Sequence, residues 1–289
     1  MYTFFTDTDC DITPALAEQY GIKLISMPYT IDGVEVKPYI DFKEFDPKAF
    51  YDRLRKGTLP TTSALPPTAY IDYFEPEFAA GRDIVYVHFS EAMSATFNSM
   101  RLALEELNEK YPDRKVIKID TKGITIGSYS IVLELAEMYK NGASIDELVA
   151  WANANVDHYA SYFFADDLKF FHKSGRVSGF SAFFGGIIGI RPIIHMDSNG
   201  VMTAKDKSRG RKQTLEKLLS YVIELEDGIK DHRVVIAHTD AMDIALEFAD
   251  MLKKQFCDDL KITFEPVNPT AGSHCGPNAI GVSFYAKHR

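Results

Sequence analysis

Apolar and polar residues alternate along this chain in two rhythms, and the switches between them mark its elements. Short apolar runs that read as strands lie at residues 1–6, 23–27, 84–87 and 115–119. Between them, apolar positions recur every three or four residues, the period of a helix with one buried face. Helices are predicted after Thr13-Pro14, from Asp46-Pro47 to Lys56, over 68–78, through Leu102, Leu104 and Leu107 to Lys110, and over 124–139 and 144–155. Pro14 and Pro47 occupy first helical positions behind Thr13 and Asp46, and Ser144 with Glu147 has the spacing of a capping box. Asp32-Gly33, inside the apolar stretch 31–36, suits a hairpin turn. Strands alternating with helices predict a parallel sheet in an α/β domain.

Past residues 157–161 the pattern changes, so the chain divides into an α/β domain over 1–158 and a second α/β domain over 159–289. Tyr162, Phe163, Phe164, Phe170, Phe171, Phe180, Phe183 and Phe184 crowd one region, and the run GGIIGI of 185–190 follows. Phe and Ile supply apolar wall while Gly leaves room, a composition that suits either a core or a binding cavity. A hairpin is predicted over 196–203 around Asn199-Gly200. Helices are expected at 213–226 and 241–254, and strands at 234–238, 262–267 and 279–285.

Charge and composition narrow the function. A net charge of −9 argues against nucleic acid or anionic membrane as a partner, since both require a basic footprint. Apolar and charged fractions of 46% and 25% over 289 residues are those of a globular chain with a sizeable core. The longest uncharged apolar stretch, 180–190, is too short to span a bilayer, so no stable membrane insertion is expected. The first residues carry no basic region of a signal peptide. Cys10, Cys257 and Cys275 have no CxxC spacing and imply neither a disulfide framework nor a zinc site. Together these features point to the cytoplasm.

Four polar stretches carry candidate chemistry. In 83–100, a strand runs into Ser90, Ser94, Thr96 and Ser99 before a helix; bare amides and hydroxyls at such a place suit an anion, or simply cap the helix. Prolines on both sides of Thr62 and Ser63 restrict the backbone and would hold both hydroxyls at a fixed place. The glycine-rich stretch 268–281 reads as a tightly turned loop projecting Ser273, His274 and Asn278, with imidazole and amides able to meet an anion. The acidic run Asp7, Asp9, Asp11 offers three readings. EF-hand ligand spacing is spoiled by Ile12 where the loop needs Gly. A strand followed by Asp-x-Asp suggests a phosphatase with Asp7 as nucleophile. The third is a turn whose carboxylates cap the next helix. Ser94, His274 and an aspartate can be drawn as an esterase triad, although MSATF is not the GxSxG elbow. Neither GxxxxGK(S/T) nor GxGxxG occurs, and no cofactor or metal is expected. The basic island 205–212, in an acidic chain, suits an acidic partner.

Taken together, the motifs resemble those of the DegV family of bacterial fatty-acid-binding proteins, from Thr6 to Phe284. The family's Thr-Asp-Ser is matched by Thr6-Asp7-Thr8, and its Thr-Ser-Gln-Pro loop by Thr62-Ser63, with Ala64-Leu65 in place of Gln-Pro. Its Ser-Gly-Thr appears as Ser94-Ala95-Thr96, and its Gly-Gly-Arg as Ser174-Gly175-Arg176. Its Lys-Pro-Ile appears as Arg191-Pro192-Ile193, and its His-x-Gly-Pro-Gly as His274-Cys275-Gly276-Pro277-Asn278. The resemblance implies two α/β domains with a long-chain fatty acid, such as palmitate, stearate or oleate, between them. It implies a carboxylate held by Thr62, Ser94 and His274, with Ser63, Thr96, Arg176, Gly276 and Asn278 in support, and a tail in an apolar tunnel. It further implies a carrier with no catalytic residue, which presents its ligand to a separate fatty acid kinase for phospholipid synthesis, docking through Arg209, Arg211 and Lys212. The rival from the residues alone remains a phosphatase or esterase using Asp7 or Ser94.

Overall fold

The structure is a computed structural model of the chain, and it describes residues 1–178 and 190–289. Phe180, Phe183, Phe184 and the glycines of 185–189, expected as cavity wall, lie outside the described residues.

The first half opens with β1 (Tyr2–Asp7), α1 (Pro14–Tyr20) and β2 (Lys23–Ile25). A small excursion follows: β3 (Tyr29–Ile31), β4 (Val34–Val36), α2 (Pro47–Arg55) and β5 (Thr61–Thr62). The chain then returns through α3 (Pro67–Ala79), β6 (Asp83–His88), α4 (Thr96–Lys110), β7 (Val116–Asp120), α5 (Ile126–Lys140) and α6 (Ile145–Asn155). One sheet has the order β2-β1-β6-β7 and is parallel throughout. β6 is buried along nearly its whole length, as a parallel strand covered on both faces must be, and this produces its unbroken apolar run. The excursion forms a separate antiparallel sheet, β4-β3-β5.

The second half contributes β8 (Tyr159–Phe164), α7 (Leu168–Ser174), β9 (Val177–Ser178), β10 (Ile190–Met196), β11 (Met202–Arg209) and α8 (Arg211–Leu225). β12 (Val234–His238), α9 (Met242–Gln255), β13 (Ile262–Pro266), α10 (Pro269–Cys275) and β14 (Ile280–Tyr285) complete it. Its strands make a mixed sheet, β13-β12-β14-β8-β10-β11-β9. The architecture is therefore α/β, a parallel sheet in the first half and a further α/β layer in the second.

α5 joins the halves. Every residue from Ile126 to Leu133 is buried, because the helix lies against β1 and β6 on one side and β8, β12 and β14 on the other. Tyr129 in its first turn donates to Glu265 Oε1 on β13 (2.7 Å). The hydrophobic core runs accordingly from Phe4, Phe5 and Val85 through Ile131 to Val235 and Ala237. A second cluster fills the other face of the seven-stranded sheet beneath α8 and α9. α6 starts as predicted: Ser144 N–H donates to Glu147 (2.7 Å) and Glu147 N–H to Ser144 Oγ (3.3 Å).

Two expectations are corrected. The stretch 268–281 is not a loop throughout, since Pro269–Cys275 is a helix. Asn268 accepts from Ala271 N–H at its start, and Pro269 needs no donor at the first position. Thr61 and Thr62 are strand rather than loop, paired with Thr30 and Tyr29. The basic island spans two elements, the end of β11 and the start of α8, and Lys205, Lys207, Arg209, Arg211 and Lys212 are all exposed.

Candidate functional site

α10 is where the fold brings the polar stretches together. Asn268 is fixed by Asp11 Oδ1, which accepts from its backbone N–H (3.0 Å) and its side-chain amide (2.8 Å). A Cβ on Gly272 would stand 2.3 Å from Tyr51 Oη, so only glycine lets the helix lie this close to α2. Gly276 ends the helix with φ +70°, and a Cβ there would fall 2.2 Å from the Phe170 ring on α7. Held from both sides, the last turn aims His274 at β5, where its Nε2 lies 3.0 Å from Thr62 Oγ1.

The second hydroxyl group is tied to the same place. Thr96 Oγ1 accepts from Leu65 N–H (3.2 Å) and shares a hydrogen bond with Tyr70 Oη (2.9 Å). Ser94 Oγ accepts from Thr96 N–H (3.2 Å). The proline-flanked segment after β5 is thus fastened to the start of α4. Thr62, Ser63, Ser94, Thr96, Arg176 and His274 all line one cleft.

An apolar cavity adjoins this cleft, walled by Ile126, Phe163, Met196, Val267 and Ile280 among others. Ile124, Met202, Ala271 and His274 belong to the walls of both. His274 also lines an outer recess with Lys173 and Arg176. The imidazole therefore stands where a polar cleft, an apolar cavity and a cationic recess meet. Burial, with the Arg176 cation adding to it, pushes its pKa down to about 4, so at neutral pH it is an uncharged donor and acceptor. Such a site has a polar end and an apolar end. It suits an amphipathic molecule whose head accepts hydrogen bonds.

Other predicted residues are placed elsewhere. Gly276 acts on the backbone, as above, and Asn278 accepts from Arg55 Nη2 (3.1 Å), so neither lines the cleft. Asn278 does adopt a left-handed conformation, φ 63°. Asp7 is fully buried and accepts from Tyr86 Oη (3.0 Å), Phe89 N–H (3.3 Å) and Asp9 N–H (3.0 Å), which closes it to a substrate. The ring nitrogen of His274 that a triad would direct at Ser94 meets Thr62. Among the described residues no group of three or more His, Cys, Asp or Glu is placed to hold a metal ion. Arg209 and Arg211 are exposed, and Arg211 lies 3.6 Å from Asp243 and 3.7 Å from Glu247 on α9. Lys212 is exposed one residue further on, 3.9 Å from Glu216.

The cleft also contains residues that sequence reading missed. Asp9 carries no headgroup signal within its acidic run, and Ala271 and Met202 have no local signal. The available signal was the three-to-four-residue spacing of Ala271 and His274 along one helix face.

The sequence profile of a family described as "Uncharacterised protein, DegV family" matches residues 3–287. This chain belongs to the DegV family. A DegV domain-containing protein of Clostridium perfringens is 33% identical over 287 residues, covering 98% of this chain and 97% of the relative. A DegV family protein from Thermus thermophilus, described for its fatty acid binding, superposes with a TM-score of 0.86 at 22% identity and 99% coverage of both chains. A stearic-acid-binding protein from Eubacterium ventriosum does so with a TM-score of 0.84 at 20% identity, again over 99% of both. At these identities the structural likeness establishes the α/β fold alone. Among the described residues, no helix is long and apolar enough to cross a membrane.

Proposed function

We propose that this chain is a fatty-acid carrier that holds a long-chain carboxylate at Thr62, Ser94 and His274. The acyl tail lies in the apolar cavity beyond His274. One observation carries this reading: a single uncharged imidazole, hydrogen-bonded to Thr62, belongs to the walls of both the hydroxyl-lined cleft and the apolar cavity. The solved relatives described as binding fatty acid or stearic acid support it. Burial at about 0.8 kcal/mol per methylene makes the tail the main source of affinity, and the polar trio sets which end lies where. Ser63, Thr96 and Arg176 complete the polar wall, Thr96 by fixing the turn that carries Ser94.

A carboxylate held at the mouth of an apolar cavity is suited to being handed on rather than hydrolysed. The carrier would work in the cytoplasm, over an N-terminal domain of residues 1–158 and a C-terminal domain of 159–289. It would present its ligand to a separate fatty acid kinase subunit for acyl-phosphate formation, with Arg209, Arg211 and Lys212 as the docking cations. Retention of oleate by the purified full chain tests the site. Ser94→Ala is expected to release it roughly tenfold more readily, the worth of a hydrogen bond to a charged group. Unchanged retention would remove Ser94 from the headgroup contacts.

A further inference from the structure

The wall of the headgroup cleft holds a carboxyl that the chain's own donors leave unused. Asp9 is 6% exposed, its Oδ1 meets no hydrogen-bond partner, and the residue lines the cleft together with Thr62, Ser94 and His274. Its neighbours on the same turn each have partners: Asp7 accepts from Tyr86, Phe89 and Asp9, and Asp11 accepts twice from Asn268 through Oδ1, leaving only its Oδ2 unmatched. The backbone at Asp9 is fixed as well, since its carbonyl accepts from Thr125 N–H (2.7 Å). The backbone is therefore fixed while Oδ1 has no partner. An ionised carboxylate left so would bear the full cost of desolvation, and the neutral acid bears far less. Burial, and after it the carboxylates of Asp7 and Asp11, hold its proton well above the usual range. From the surrounding elements the titratable groups near it are Tyr70 on α3 and, across the cleft, His274 and Arg176.

We propose that Asp9, as the neutral acid, donates a hydrogen bond to the carboxylate of the bound fatty acid. Ligand carboxylate and Asp9 then share one proton between them, and no proton need be taken up or released on binding. This rests on the fatty-acid reading of the same cleft. It explains how an anion can settle beside an uncharged His274: a neutral acid donates there, with the Arg176 cation in the same wall. It also assigns a role to a buried polar atom that is otherwise unsatisfied.

The test is competition of oleate against fluorescent cis-parinarate on the full chain stripped of lipid, with wild type, Asp9→Ala and Asp9→Asn compared at neutral pH. Asp9→Ala should bind at least about tenfold more weakly, because a hydrogen bond to a charged group is lost. Asp9→Asn keeps a donor of the same shape and should retain most of the affinity. Difference infrared spectra of wild type serve if the Ala variant does not fold: the carbonyl stretch of a protonated carboxyl, absent in Asp9→Asn, should shift when oleate binds. An Ala variant with wild-type affinity would overturn the inference while leaving the carrier reading intact. Tighter binding by both variants would overturn it too, by showing an ionised Asp9 that repels the ligand. No oleate uptake by wild type would sink the carrier reading and this inference with it.

Discussion

Ala271→Leu is the perturbation that bears most directly on where the tail lies. Ala271 is buried on α10 and belongs to the walls of both the cleft and the apolar cavity, so a side chain there stands in the passage between them. Leucine adds three carbon atoms at that point. In the unaltered protein each methylene that enters the cavity should contribute about 0.8 kcal/mol. At 1.4 kcal/mol per factor of ten, that is roughly fourfold in affinity per methylene. A saturated series lengthened by about eight methylenes should therefore span roughly 6 kcal/mol. With the passage filled, the slope should collapse: long chains lose most of their advantage, and short carboxylates, held mainly by the polar wall, lose little. Overpacking costs the fold about 1–3 kcal/mol, to be read separately from a denaturant melt. The assay is a competition titration across the series with both proteins. A variant that keeps the fourfold step over the whole series would refute the placement of the tail in this cavity.

Two further outcomes follow from other parts of the structure. Burial pushes the Asp11 carboxyl up to about 7, above its unfolded value, so its contribution to stability is complete at low pH and is lost as pH rises through 7. At about 1.4 kcal/mol per pH unit, Asp11→Asn should stabilise the chain at pH 8 by about 2–4 kcal/mol and hardly at all at pH 4. Asn also tolerates the left-handed backbone there, φ 57°. Urea melts at the two pH values check this, and equal effects would contradict it. Charge reversal at Arg209 and Arg211 should spare lipid binding while slowing kinase-dependent phosphorylation, because the ion pairs of Arg211 with α9 are exposed and contribute little to the fold. Phosphorylation at the unaltered rate would exclude these two cations from docking.

The elements most legible in the sequence are those whose pattern is set by burial alone. β1, β6 and β12 stand out as apolar runs because sheets covered on both faces demand them, and the capping box and prolines mark helix starts within a residue or two. α10 was not legible, since its glycines read locally as a loop. Their reason is tertiary: Tyr51 and Phe170 press on the helix from other elements. The site is legible only in part for the same reason. Thr62 and His274 are 212 residues apart, and no local period links them; the ordered motifs of a family suggested the pair, and the fold brings it within 3.0 Å. Asp9 looked like its two acidic neighbours in sequence. Only its place in the cleft wall, with an unpartnered oxygen, sets it apart in the folded chain.

The central claim is that a long-chain fatty acid occupies this site, and mass spectrometry of the organic extract of the natively purified full chain tests it most directly. A long-chain fatty acid at about one per chain is the expected result, and its length and unsaturation would report the shape of the cavity beyond His274. An extract without fatty acid, from protein that also takes up neither oleate nor palmitate, would contradict the account and leave the DegV relationship as one of fold alone.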